Sequence, residues 1–443
     1  MLAKPKIENQ SSFFFTLEDT LNQKHPLYIL SNRMDWGLFD KGFSPLYCQD
    51  NGRPAKPIRL MVGLLILKHL RNISDESVVG QWAENLYYQY FCGQQDFSSS
   101  EPCEASELVH FRKRIGEWGI ELILKESIRI NGDDSNDDQV SIDTTVQEKN
   151  ITFPTDAKLH KKIIKKSLAI AEKEELPVRQ SYTRTLKKLG VGQRFRNHPK
   201  NKSKAKKADK KVKTIAGRLV RELERNLKPD SIYLTDIELF KRVLAQKRTS
   251  KNKIYSLHEP ETLCISKGKE HKKFEFGNKA SFAYTQNTGV IVGAMGFRNE
   301  FDGHTLEPAL EQTARLVGKV PKKAAVDRGY RGRKQIGETQ IQLPKPFNNK
   351  TQTKYQQKTL KQAHRKRAAI EPVIGHLKTD FRLGRNFYKG IVGDNINIML
   401  AAAAYNFKRM INKWKLSCCQ FFQQLYYSFE FIIYKIFWLK KAF

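Results

Sequence analysis

The chain has 443 residues, and its 79 Lys and Arg against 46 Asp and Glu give a formal charge of +33 at pH 7. That length exceeds what one hydrophobic core usually serves, so two or three domains are expected. A positive field of this size points to a polyanionic partner, nucleic acid first and an acidic membrane surface or heparin-like polymer second. Cysteines 48, 92, 103, 264, 418 and 419 form no Cys-x-x-Cys pair, which excludes a zinc finger and fits reduced thiols in a cytosolic protein.

Residues 1–50 mix Phe13-Phe14-Phe15 with turn formers and define no element, and their start lacks the apolar core of a secretory signal. From Ile58 to Leu70 the chain is apolar nearly all round. The run is too short to span a membrane and predicts a buried helix, with Pro57 suited to its first turn. Ser74 predicts the start of a second helix, with Asp75 and Glu76 at its positive end. The aromatics Tyr87, Tyr88, Tyr90 and Phe91 read as core more readily than as base-stacking platforms. A third helix over about 104–130 carries Arg112, Lys113 and Arg114, a basic face that could lie on DNA ends.

Val140, Ile142 and Val146 predict a strand around Asp143, preceded by a turn-like acidic run. A long polar insert follows, in which residues 158–213 hold many Lys and Arg and few acids. Helical spacing is present at 157–176, 205–227 and 235–247. The stretch 197–207 has low-complexity character and is expected to be mobile or phosphate-bound. Lys204, Lys206, Lys207, Lys210 and Lys211 are the candidates for phosphate contact, which gives affinity without sequence reading. A lysine-solubilised helical hairpin is the plainer alternative.

Strand signals return at 255–265, 273–277, 280–285 and 290–295, with Asn287-Thr288-Gly289 as a hairpin turn. A helix from Asp302 to about Val317 leads to a short apolar strand ending in Asp327, ahead of a glycine-rich turn. Residues 341–343 are a further strand candidate, and 348–363 connect to a helix carrying Glu371. Pro372 is expected to kink that helix or to mark its start. A helix over 393–407 follows, and the aromatic tail 415–443 reads as a packing or interface helix rather than a membrane span.

Three carboxylates stand out. Glu371 is the one acid among bases, with Arg367 four residues before it and Lys378 seven after, a spacing that shares one helix face. Asp143 and Asp327 each sit in or at the end of an apolar strand, where a carboxylate is costly to bury without a cation or hydrogen bonds. A metal-dependent phosphodiester enzyme needs this combination, acids for a divalent ion and bases for phosphate oxygens. Solvated helix charges and turn caps remain the ordinary alternatives for each residue alone.

The segments 143–151, 153–159, 326–332 and 370–378 resemble those of the DDE transposases of the IS5 group, within the IS4-like superfamily. The superfamily signature Tyr-x2-Arg-x3-Glu-x6-Lys is matched at Arg367, Glu371 and Lys378, with His364 where Tyr is usual. The likeness covers about residues 50–412. It implies an α/β ribonuclease H-like mixed sheet with a helical insert between its first and second strands, behind an all-α N-terminal domain. The implied division is 1–135 for end binding, 136–412 for catalysis with a basic insert at about 157–250, and 413–443 as a tail. It also implies that Asp143, Asp327 and Glu371 hold two Mg²⁺ ions, Mn²⁺ substituting, while Arg367 and Lys378 hold phosphates. The implied partners are double-stranded DNA, as terminal inverted repeats and target, and a second copy of the chain in a synaptic complex. The implied place is the cytoplasm, at the nucleoid. A DNA-binding descendant without catalysis, a structure-selective nuclease of this fold and a nucleic-acid-coating protein stay open.

Overall fold

Short helices α1 (Leu17–Thr20), α2 (Pro26–Arg33) and α3 (Trp36–Phe43) precede α4 (Ile58–Leu70), against which α3 packs. Every residue of α4 except Arg59 is buried, as its all-round apolar sequence requires. These positions come from a computed structural model, which describes residues 16–48, 51–247, 249–266, 273–298, 300–343 and 353–414. The next helices are α5 (Asp75–Glu84), capped by Ser74, α6 (Leu86–Phe91) and α7 (Ala105–Ile130). Of the α6 aromatics, Tyr88 and Phe91 are buried. Helix α7 is interrupted at Gly116, whose φ of 58° and ψ of −161° are open essentially to glycine alone.

The described chain divides into two units, one made of residues up to 148 together with those from 278 onward, the other of residues 149–277. In the first unit the strands are β1 (Gln139–Glu148), the later part of β3 (Phe274–Thr285), β4 (Ile291–Phe297), β5 (Lys323–Ala325), β6 (Gln335–Ile336) and β7 (Thr339–Gln342). Their order is β4-β3-β1-β5-β7-β6. The pairs β1–β5 and β5–β7 are parallel, while β3–β4 and β6–β7 are antiparallel. Helix α12 (Asp302–Val317) joins β4 to β5; helices α13 (Lys354–Ala368) and α14 (Ile370–Asp380) follow β7. The chain is then helical from 390 to 414.

Apolar residues on both faces of the sheet explain the layering. Val140, Ile142, Ala324, Val326, Leu306 and Leu310 form one core with α12. Phe282 and Ile291 join the helical core of Leu64, Phe91, Ile123, Ile398 and Phe407. Asn406 ties the layers by donating to the Ile291 carbonyl and accepting from the Ile291 amide. The predicted strands at 273–277 and 280–285 are one continuous strand, because Asn278 stays extended and donates to Asp394. Of the strand predicted at 255–265 only β2 (Leu263–Ser266) forms; Pro260 and a turn from Glu259 to Thr262 occupy the rest.

The second unit is mainly helical, with α8 (Asp156–Lys173), α9 (Thr183–Gly192), α10 (Pro199–Asn226) and α11 (Leu234–Ala245) around Ile163, Ile164, Val212, Leu219 and Phe240. Strand β2 pairs there with residues 274–277 of β3. The lysine-rich stretch expected to be low-complexity is regular helix. His198 caps α10, Pro199 fills its first position, and Ala205, Ala208, Val212, Ile215 and Leu219 give the buried stripe that a helix needs.

Candidate active site

The register of the central parallel strands positions the first two carboxylates. Ser141 pairs with Ala325; Asp143 lies two residues further along β1, and Asp327 lies two residues past Ala325, just beyond the end of β5. Asp143 lies within β1, and its Oδ1 accepts the Thr144 amide at 2.8 Å. Burial pushes its carboxyl up to about 6. The Thr144 amide and Arg367 oppose the rise, while the charges of Asp327 and Glu371 add to it. Residues far apart in the chain thus meet in one electrostatic field.

Asp327 follows β5 directly, and its Oδ1 accepts the Gly329 amide at 2.7 Å, capping a 3₁₀ turn over Arg328–Tyr330. Gly329 leaves room for two carboxylates. A Cβ there would stand 2.9 Å from Asp327 Oδ1 and 3.2 Å from Asp302 Oδ2. Tyr330 is buried beneath this turn, and burial together with the charge of Asp302 pushes its phenol far above the usual range.

Glu371 comes from a third element. Helix α13 ends at Ala368 and α14 begins at Ile370, which puts Glu371 and Pro372 in the first turn of α14. The missing Pro372 amide would have no intrahelical partner there, so the break falls just before proline, as predicted. Glu371 is largely exposed, and Arg367 Nη2 lies 3.7 Å from its Oε1. The Arg367 Nε is buried with no hydrogen-bond partner among the described residues. Arg367 therefore pairs with Glu371 and also lowers the proton affinity of Asp143.

The sequence reading placed Asp302 only at the start of a helix, and the structure adds it to this neighbourhood. Its Oδ1 accepts from the Thr144 hydroxyl at 2.9 Å and from Lys279 Nζ at 3.0 Å. An aspartate in a first helical turn is ordinary enough to carry no other signal.

The donor set suits a hard divalent cation, since the converging groups are carboxylate oxygens. Asp143's raised proton affinity comes first from burial, with smaller contributions from the two neighbouring acids. Among the described residues no three His, Cys, Asp or Glu side chains are close enough to hold a metal ion together. The carboxylates fit such an ion in the chemistry of their donors, not in a closed coordination shell.

The predicted phosphate-binding residues divide. Arg112 is a correction: its side chain is buried, donates twice to Asp75 at 2.8 Å and lies over the Tyr388 ring. Lys68 adds a second cation on Asp75, so Arg112 belongs to a buried ion network and presents nothing to DNA. Lys113 and Arg114 are exposed, with Arg114 stacked over Tyr47. In the other unit Lys204, Lys206, Lys207, Lys210 and Lys211 are exposed on α10. Lys378 sits on α14, half-buried, and its carbonyl accepts the Gly384 amide at 3.2 Å. No described helix is long and apolar enough to cross a membrane; the tail prediction for 415–443 lies outside the described residues.

A mixed sheet with parallel central strands behind a helical N-terminal region makes a ribonuclease H-like fold. Residues 15–114 match the family profile "Transposase domain (DUF772)", and residues 245–407 match "Transposase DDE domain". The second match includes Asp302, Asp327, Arg367, Glu371 and Lys378. A Rhizobium meliloti protein described as "Uncharacterized protein ORF8 in nfe locus" is 38% identical over 201 residues, covering 44% of this chain and 97% of its own length. No solved structure matches the chain. The chain belongs to the DDE transposases of the IS4/IS5 kind, DNA transposases whose DDE domains generally use divalent metal ions.

Proposed function

We propose that this transposase cuts and joins insertion-sequence ends by metal-dependent phosphodiester hydrolysis and strand transfer, with Asp143, Asp327 and Glu371 as the acidic centre. The observation that carries this is the half-buried Asp143 carboxyl, held in the field of Asp327 and Glu371 from two other elements. These three residues would hold Mg²⁺, or Mn²⁺ in its place, as a pair of ions. When bound, such ions supply Lewis-acid polarisation of the phosphate and activation of a water or a DNA 3′-hydroxyl.

The chain's own residues then have distinct work. Asp143 lies within β1 and Asp327 just past its parallel neighbour β5, so the paired strands carry both acids. Arg367 balances the acids until DNA arrives and is placed to exchange Glu371 for a phosphate oxygen. Lys378, seven residues beyond Glu371 and therefore about 10 Å along the helix, suits a phosphate beside the cut. Lys113, Arg114 and the α10 lysines contact duplex phosphates in ways that do not read sequence. The working form is a homodimer bridging two terminal inverted repeats and target DNA, in the cytoplasm at the nucleoid.

The test is a strand-transfer assay with purified protein and duplexes carrying the DNA that flanks the coding region. Joined products should form with Mg²⁺ or Mn²⁺, while Ca²⁺ supports binding without efficient chemistry. Equal product yield in excess chelator would refute the proposal.

A further inference from the structure

Asp302 is the acid in this neighbourhood that the proposed chemistry leaves unused. An aspartate at the start of a helix ordinarily turns to its own free amides. Asp302 instead directs Oδ1 across the sheet, to the Thr144 hydroxyl on β1 and Lys279 on β3. Its Oδ2 accepts no hydrogen bond among the described residues. That oxygen faces Gly329, where a Cβ would meet both Asp302 and Asp327. Thr144 is the residue whose amide holds Asp143 Oδ1. One carboxylate thus fastens the backbone that orients Asp143 and borders the turn that Asp327 caps.

We propose that Asp302 is a positioning residue, which acts through the Thr144 hydroxyl to fix the Asp143 carboxylate relative to Asp327. This rests on the reading of Asp143 and Asp327 as metal-holding residues. Outer partners of this kind orient the carboxylates that meet the ion, and their loss typically costs ~10–100-fold in metal affinity. Lys279, 3.0 Å away, offsets the cost of placing another negative charge beside Asp143 and Asp327.

The experiment is calorimetric titration of the full chain with Mn²⁺, without DNA, with circular dichroism on each variant. Asp302→Ala and Thr144→Val should each weaken Mn²⁺ binding by roughly tenfold or more. The double variant should bind no worse than the weaker single one, because both remove the same link. Thr144→Ser, which keeps the hydroxyl, should bind like wild type, and Asp302→Asn, which keeps an acceptor, should recover most of the loss. Should Asp302→Ala fail to fold, the Val and Ser variants at Thr144 decide, and equal affinity for those two overturns the inference. Additive losses in the double variant also overturn it, since Asp302 would then act independently of Thr144. Asp143→Asn separates the two levels. If it binds Mn²⁺ as wild type does, the reading of the site fails, and this inference with it. If it loses Mn²⁺ while Asp302→Ala and Thr144→Val retain it, only the inference fails.

Discussion

Asp143→Asn should make the metal-free protein more stable while depriving it of activity. The fold raises the Asp143 carboxyl from an ordinary 3.8 to about 6, which at about 1.36 kcal/mol per tenfold corresponds to about 3 kcal/mol. Because the folded value lies above the unfolded one, the native state holds the proton more tightly. The penalty is therefore absent well below pH 4, grows between 4 and 6, and is full above 6. Asparagine keeps an acceptor for the Thr144 amide but carries no charge. In urea unfolding with chelator present, the variant should exceed wild type by about 3 kcal/mol at pH 7.5 and by about 1 kcal/mol at pH 4.5. Adding Mn²⁺ should stabilise wild type and leave the variant nearly unmoved. An advantage that stays flat with pH, or a variant less stable than wild type at pH 7.5, would refute the electrostatic account of the site.

Arg112→Ala should unfold more easily, by about 3 kcal/mol, because it leaves the half-buried Asp75 with one cation instead of two; thermal melting checks this, and retained stability with weakened DNA binding would restore Arg112 to the DNA face. Replacing Lys204, Lys207 and Lys211 by Gln should weaken binding to all duplexes alike and flatten the log–log salt slope by about 0.9 per lost contact. An unchanged slope would return α10 to the role of a solvated helix. Lys378→Ala should slow single-turnover nicking of pre-bound ends by on the order of a hundredfold, with little change in affinity. The exposed Lys41→Ala, of equal charge change, should leave the rate as it is, and equal small losses would make Lys378 one more surface charge.

What could be read from the chain alone follows the range of the forces involved. Helices α4, α5 and α12 were legible because their signals are local: an all-apolar run, a serine cap and an aspartate start. Asp143, Asp327 and Glu371 were legible as an acid ending or interrupting an apolar run, or standing alone among bases. Arg112 was misread because Asp75 and Tyr388, the residues that bury it, lie on other elements. Helix α10 was underestimated because its lysines mask the alanine and valine stripe that packs it. Asp302 and Gly329 were passed over for a similar reason: their significance lies in one Oδ2 and one missing Cβ, which meet only when α12 folds beside β5. Gly116 shows the limit of periodicity, since the apolar pattern continues across a break in φ and ψ.

The central claim is that three acids from three separate elements act as one centre on DNA. It is tested most directly by single-turnover release of the 3′-hydroxyl from pre-bound end duplexes in Mg²⁺, for wild type, Asp143→Asn, Asp327→Asn and Glu371→Gln. Each variant should bind the duplex as wild type does and lose cleavage by on the order of a thousandfold, the scale on which removing one electrostatic element of a site acts. Cleavage near the wild-type rate by any one of the three would remove that residue from the centre and contradict the account.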